Sequence, residues 1–201
     1  MKKESTLFDK FKTPMDIQLF LSKLPYNPDY VTKSPKRVLK EKSANCFEGA
    51  LFAAAALSSL GFPPLIVDLM AHNDDDHVIA VFKKNEHWGA VAKSNFTTLR
   101  FREPIYRTIR ELIMSYFDFY FNTNGEKSLR SYSRPINLSR FDKYDWITTD
   151  EDLGFIGDYL FKVKHNKMLS PQMTRNLSKA DKDVLRAGML GSVKEGLFIP
   201  K

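Results

Sequence analysis

The sequence predicts an α+β fold in which a buried helix packs on an antiparallel sheet. An apolar run from Cys46 to Leu60, uncharged after Glu48, has the length and all-round apolarity of a helix enclosed by a core. Three β-rich runs follow it, Leu65 to Met70, His77 to Lys83 and Trp88 to Lys93, the last two joined by the polar turn Lys84-Asn85-Glu86. A helix followed by neighbouring strands is an α+β order.

The remaining elements can be read along the chain. Met15, Ile17, Phe20, Leu21 and Leu24 recur at helical spacing within residues 1–25. Residues 25–42, with Pro25, Pro28 and Pro35 among many charges, read as a solvated loop. Ser43 or Asn45 supplies the N-cap of the apolar helix, and Gly61 ends it. From Pro104 to Asn122 helical spacing returns through Ile105, Ile109, Leu112, Ile113, Tyr116 and Phe117, and the aromatic run to Phe121 reads as a helix wedged into the core. Residues 138–146 read as loop, 153–161 as a helix weakened by Gly154 and Gly157, and 178–190 as a short helix in a basic tail. The expected organisation is one domain over residues 1–201, with a core at about 43–122 and a helical or loop extension at 123–201.

Size and composition narrow the function classes. A chain of 201 residues buries roughly 70% of its unfolded surface. With 43% apolar and 27% charged residues, 9 Gly and 10 Pro, disordered and collagen-like classes are excluded. The single cysteine, Cys46, excludes an intramolecular disulfide and a Cys-rich zinc site. The net charge of +7 comes from Lys and Arg scattered along the chain without a recognition motif, so nucleic acid is not an expected partner. Residues 1–12 lack the apolar segment of a signal peptide, which makes the cytoplasm the expected location. The uncharged stretch Gly49 to Val67 is broken by Gly61-Phe62-Pro63-Pro64, leaving a helix too short for about 30 Å of hydrocarbon, so no membrane partner is expected.

Cys46 stands at the start of its helix, where unpaired N–H groups and the dipole lower a thiol pKa and can hold an oxyanion. The bland alternative is a cysteine that only fills core space. His77 opens the next strand but one, straight after the polar run His72-Asn73-Asp74-Asp75-Asp76, where a base can be fixed yet reach a cleft. If the turn at 84–86 holds three residues, Lys83 pairs with His87 and His77 with Lys93, and Asn95 becomes a diagonal neighbour of His77 on the same face. The polar run itself reads as a solvated turn, because it lacks the alternating ligands and central glycine of a calcium loop. Arg100 and Arg102 read as solvated rather than as an anion site, and Glu48 as a favourable charge in the first helical turn.

Asn45-Cys46-Phe47-Glu48, the helix end Leu60-Gly61-Phe62, the strand His77-Val78-Ile79-Ala80-Val81 and Trp88, taken in that order, resemble the transglutaminase-like branch of the papain-type thiol enzymes over Ser43 to about Asn95. The resemblance implies a papain-like core with a Cys-bearing helix on an antiparallel sheet. It also implies thiol-dependent acyl transfer on a peptide or a small amide or ester, with Cys46 as nucleophile, His77 as proton shuttle and Asn95 as its orienting partner. No metal and no organic cofactor is implied. The sequence departs from the branch in carrying Lys93-Ser94-Asn95-Phe96 where an aspartate followed by proline is usual. Cys46-Phe47-Glu48 also resembles the Cys-x-Glu turn of arylamine N-acetyltransferases, but Lys42-Ser43-Ala44-Asn45 replaces their Arg-Gly-Gly. A non-catalytic binding or scaffold protein on the same fold is the rival reading.

Overall fold

A computed structural model describes residues 5–29 and 31–201; residues 1–4 of the amino-terminal stretch lie outside them. Four helices come first: α1 (Ser5–Phe8), α2 (Pro14–Lys23), α3 (Pro35–Glu41) and α4 (Cys46–Ser59). Strands β1 (Leu65–Ala71), β2 (His77–Lys84), β3 (His87–Val91) and β4 (Arg102–Tyr106) follow, then α5 (Ile109–Phe117), β5 (Leu129–Ser133) and β6 (Ile136–Asn137). A 3-10 helix at Leu138–Tyr144 leads into α6 (Gly154–Lys162), β7 (His165–Lys167), α7 (Pro171–Arg175), α8 (Lys182–Gly188) and a last 3-10 turn at Lys194–Gly196. All seven strands form one antiparallel sheet in the order β4-β3-β2-β1-β5-β7, with β6 also pairing with β1. No helix among the described residues is long and apolar enough to cross a membrane.

The sheet is covered on both faces, which explains why β2 reads as a continuous apolar run instead of an alternating one. Val78, Ala80 and Phe82 join α4, α2 and Trp146 in one core. Ile79 and Val81 join Val67, Leu69 and the apolar face of α5 in the other. Helix α4 lies in the first core with all of Gly49 to Leu57 buried. Gly49 is required by the close approach: a Cβ there would overlap the Lys93 side chain where the chain leaves β3.

Several expectations are corrected. The stretch 25–42 is not simply solvated loop, since Ser34 caps α3, Pro35 opens it and Val38 is fully buried. The helix expected from Pro104 begins only after Thr108, because residues 102–106 form β4 at the sheet edge, where a proline costs no ladder hydrogen bond. Residues 123–201 are not an appendage to the sheet, since β5, β6 and β7 complete it. The β2-β3 turn holds two residues, not three: Asn85 and Glu86 both take positive φ (48° and 62°), the pairing of a two-residue hairpin turn. Lys84 therefore pairs with His87 and Lys83 with Trp88, one residue out of the expected register, and β3 ends at Val91 before reaching the level of His77.

The contact under Gly49 gives a direct expectation. Gly49→Ala forces α4 and the Lys93 segment apart, and the thermal midpoint falls by an amount corresponding to about 2 kcal/mol, measured by circular dichroism.

Candidate active site

Helix α4 starts with a capping box. The Asn45 side chain accepts from the Glu48 N–H at 2.9 Å, and the Glu48 carboxylate accepts from the Asn45 N–H at 2.8 Å. Glu48 is fully buried and also accepts from the Lys33 N–H at 3.0 Å and from Asn27 Nδ2 at 3.0 and 3.1 Å. One carboxylate thus ties the helix start to residues 27–33 and holds Tyr26 beside Cys46. Burial raises its pKa, and these donors hold it back toward the charged form.

Cys46, the first residue of α4, is partly buried. It lines one cleft with Tyr26, Asp74, Asp75, Asp76, His77 and Asn95. Its thiol points to the Asp76 carbonyl oxygen at 3.8 Å. The helix start does favour the anion, as do the Val78 N–H and the Tyr26 hydroxyl, but burial outweighs them and pushes the thiol up to about 11. The sequence-based expectation of a lowered pKa is therefore corrected: in this arrangement the resting group is a neutral thiol.

His77 is buried, and its Nε2 lies 3.0 Å from the Leu99 carbonyl. A carbonyl only accepts, so Nε2 carries a proton and the neutral ring keeps its lone pair on Nδ1. Burial pulls the imidazole down to about 4, which keeps it neutral near pH 7. Alternation along β2 sets His77 with Ile79 and Val81 on the α5 side, where its ring meets the edge of Tyr120 at 6.3 Å. Val78, on the other side, faces α4. Cys46 and His77 thus share the cleft wall without a hydrogen bond between them.

Asn95 is in the same wall, but its amide serves another group. Nδ2 donates to the Val193 and Gly196 carbonyls, both at 2.9 Å, and Oδ1 accepts from the Val193 N–H at 2.8 Å. His77 is oriented by the Leu99 main chain instead. The slipped register removes the diagonal pairing that suggested the Asn95 contact.

The polar run before β2 is built into the structure rather than merely solvated. Asp74 accepts from Ser128 Oγ at 2.6 Å, Asp76 accepts from the Ala71 N–H at 2.7 Å, and Tyr120 donates its hydroxyl to the Asp75 carbonyl at 2.8 Å. Burial raises Asp74 to about 6. Sequence reading missed Tyr26, the Leu99 carbonyl and residues 196 and 198 as cleft walls, because only tertiary structure brings them there. A second buried pair was signalled by the lone charge within the β1 run: Asp68 Oδ2 meets His165 Nε2 at 2.9 Å. No known protein-family model and no curated protein matches the chain.

Two expectations follow. Glu48→Ala leaves the Asn27, Lys33 and Asn45 donors without their acceptor and lowers stability by about 3 kcal/mol or more in urea unfolding. His77, with its folded pKa below the unfolded value, contributes stability present above about 6.5 and lost as pH falls through about 4, on the order of 3 kcal/mol. Asp74, raised to about 6, acts with the opposite sign, its contribution being lost as pH rises through that value. Thermal midpoints from pH 4 to 7 should therefore lose their acid-side fall in His77→Asn and steepen it in Asp74→Asn.

Proposed function

We propose that the protein is a thiol-dependent acyl-transfer enzyme acting on a peptide or a small amide or ester, with Cys46 as nucleophile and His77 as its base. The observation that carries this reading is the joint placement of the thiol, at a helix start with N–H groups around the sulfur, and of a neutral imidazole with a free Nδ1, in one cleft. A helix bearing the cysteine and packed on an antiparallel sheet also supports the papain-like, transglutaminase-like fold reading. A cytoplasmic setting belongs with it, since the chemistry needs a reduced thiol.

On this reading the Cys46 side chain turns from the Asp76 carbonyl toward His77 as substrate binds, as apo catalytic contacts often tighten in the complex. The imidazole Nδ1 takes the thiol proton while Sγ bonds to the carbonyl carbon. The oxyanion is held by N–H groups at the start of α4. His77 then returns the proton to the leaving amine or alcohol as the C–N or C–O bond breaks, giving a thioester on Cys46. Water or an amine, deprotonated in turn by His77, resolves it. The Leu99 carbonyl takes the orienting role that the sequence assigned to Asn95. A non-catalytic binding protein is the second reading, favoured by the engagement of Asn95 with residues 193–196 and of the thiol with Asp76.

The test is intact-mass detection of an acyl adduct during incubation with aminoacyl and peptidyl esters, with and without an amine acceptor. An adduct on Cys46, turnover reduced at least about a thousandfold by Cys46→Ala and about a hundredfold or more by His77→Asn, is the expected result. Turnover should hold down to about pH 5 and fall as His77 is protonated near 4. No adduct and no turnover with any of these substrates sinks the enzyme reading in favour of the binding protein.

A further inference from the structure

One wall of the cleft beside Cys46 is built from the last residues of the described chain. After the 3-10 turn at Lys194–Gly196, the segment runs on through Phe198 to Lys201 without regular structure. Gly196 and Phe198 form part of the same wall as Cys46 and His77.

The side chains that hydrogen-bond to the segment do so through its main chain, while Val193, Leu197 and Phe198 are half-buried. Asn95 makes three hydrogen bonds to it, two to carbonyl oxygens and one from an N–H. Thr123 Oγ1 donates to the Phe198 carbonyl at 3.4 Å. Asn73 donates to the Lys201 carbonyl at 3.2 Å and accepts from its N–H at 2.8 Å. Amide side chains that pair with both a carbonyl and an N–H read a polypeptide backbone whatever its side chains are. Asn95 and Asn73 each do so, and Asn95 is itself buried.

One position is not indifferent to sequence. A Cβ on Gly196 would lie 2.5 and 2.7 Å from two Tyr26 ring atoms and 3.2 Å from Asn95 Nδ2. Gly196 is not in the left-handed region, so the requirement is space and not backbone conformation. The main chain under Tyr26 is pinned on both sides, the Ala44 N–H donating to the Pro25 carbonyl and the Asn27 N–H to the Ala44 carbonyl, both at 3.2 Å, so the ring has to rotate to make room.

We infer that Tyr26 and Asn95 form a glycine-selective gate for a polypeptide main chain next to Cys46, and that Gly196 fills this gate in cis. The substrate or ligand class is a peptide with glycine at the gate, and residues 193–201 compete with it. This rests on the reading of Cys46 as the reactive group only for what happens after binding. An external peptide must displace the segment to enter, so occupancy by the chain's own residues also sets access to the thiol.

The single cysteine makes access measurable by iodoacetamide labelling of the full chain, with circular dichroism confirming the fold. Gly196→Val removes the fit. Asn95→Asp keeps the acceptor for the Val193 N–H but turns its donors into acceptors facing two carbonyls. Both variants should label at least about tenfold faster than the unaltered chain as the covered fraction falls. A synthetic peptide of residues 193–201 should slow labelling of Gly196→Val again, whereas the same peptide with valine at the gate should not. If Gly196→Val does not fold, Gly196→Ala replaces it, since a single Cβ already makes the clash. Labelling of the variants at the unaltered rate overturns the occupancy, and equal protection by the two peptides overturns the gate. Neither readout needs turnover, so a chain that gates glycine peptides but forms no acyl adduct keeps this inference and loses the enzyme reading.

Discussion

The Glu48 carboxylate is the constraint on which the site depends. Four hydrogen bonds from three donor groups converge on it: the Asn45 N–H at the helix start, the Lys33 N–H and the Asn27 amide, which donates to both oxygens. A charge taken out of water is tolerable only when its lone pairs are filled in this way. The consequence is geometric. The turn carrying Cys46 and the segment carrying Tyr26 are tied together, so the separation of their main chains is set by a carboxylate hydrogen-bonded to neither residue.

The same carboxylate bears on the chemistry. A helix start is an attractive place for a thiolate because its N–H groups lack partners. Here the N–H groups of Asn45 and Glu48 are already paired within the capping box, and Glu48 brings a negative charge into the first turn. With burial added, the thiol stays protonated, and the low pKa of His77 leaves a neutral acceptor beside it. A neutral thiol with a neutral imidazole in the same cleft is a different starting state from a preformed thiolate and imidazolium pair, and on the proposed reading charge separation would wait for substrate.

How much of this was legible in the sequence follows from the range of the interactions. Helix α4 and strands β1 to β3 could be read because each is a local apolar run bounded by a cap, a glycine or a polar turn. The register could not, because it turned on whether Glu86 would accept a left-handed conformation, and only the two packed faces of the sheet enforce that. Helix α3 did carry its signal, Ser34 before Pro35, but the surrounding charges hid it. Pro104 announced a helix and instead sits in an edge strand. Cys46, His77 and Asn95 were found as residues of one cleft, whereas the partners of each were not, since the Asp76, Leu99 and Val193 main-chain groups that hold them have no side-chain signature.

The surroundings of the sulfur also bear on how the protein endures. Oxidation of cysteine to sulfenic and higher acids proceeds through exposed thiolate. A sulfur held as the thiol by burial and set against the Asp76 carbonyl offers a peroxide little of the anion it needs, even though the residue is only partly buried. The burial that raises the thiol pKa therefore also favours the reduced state, so one local environment sets both the charge and the durability of Cys46.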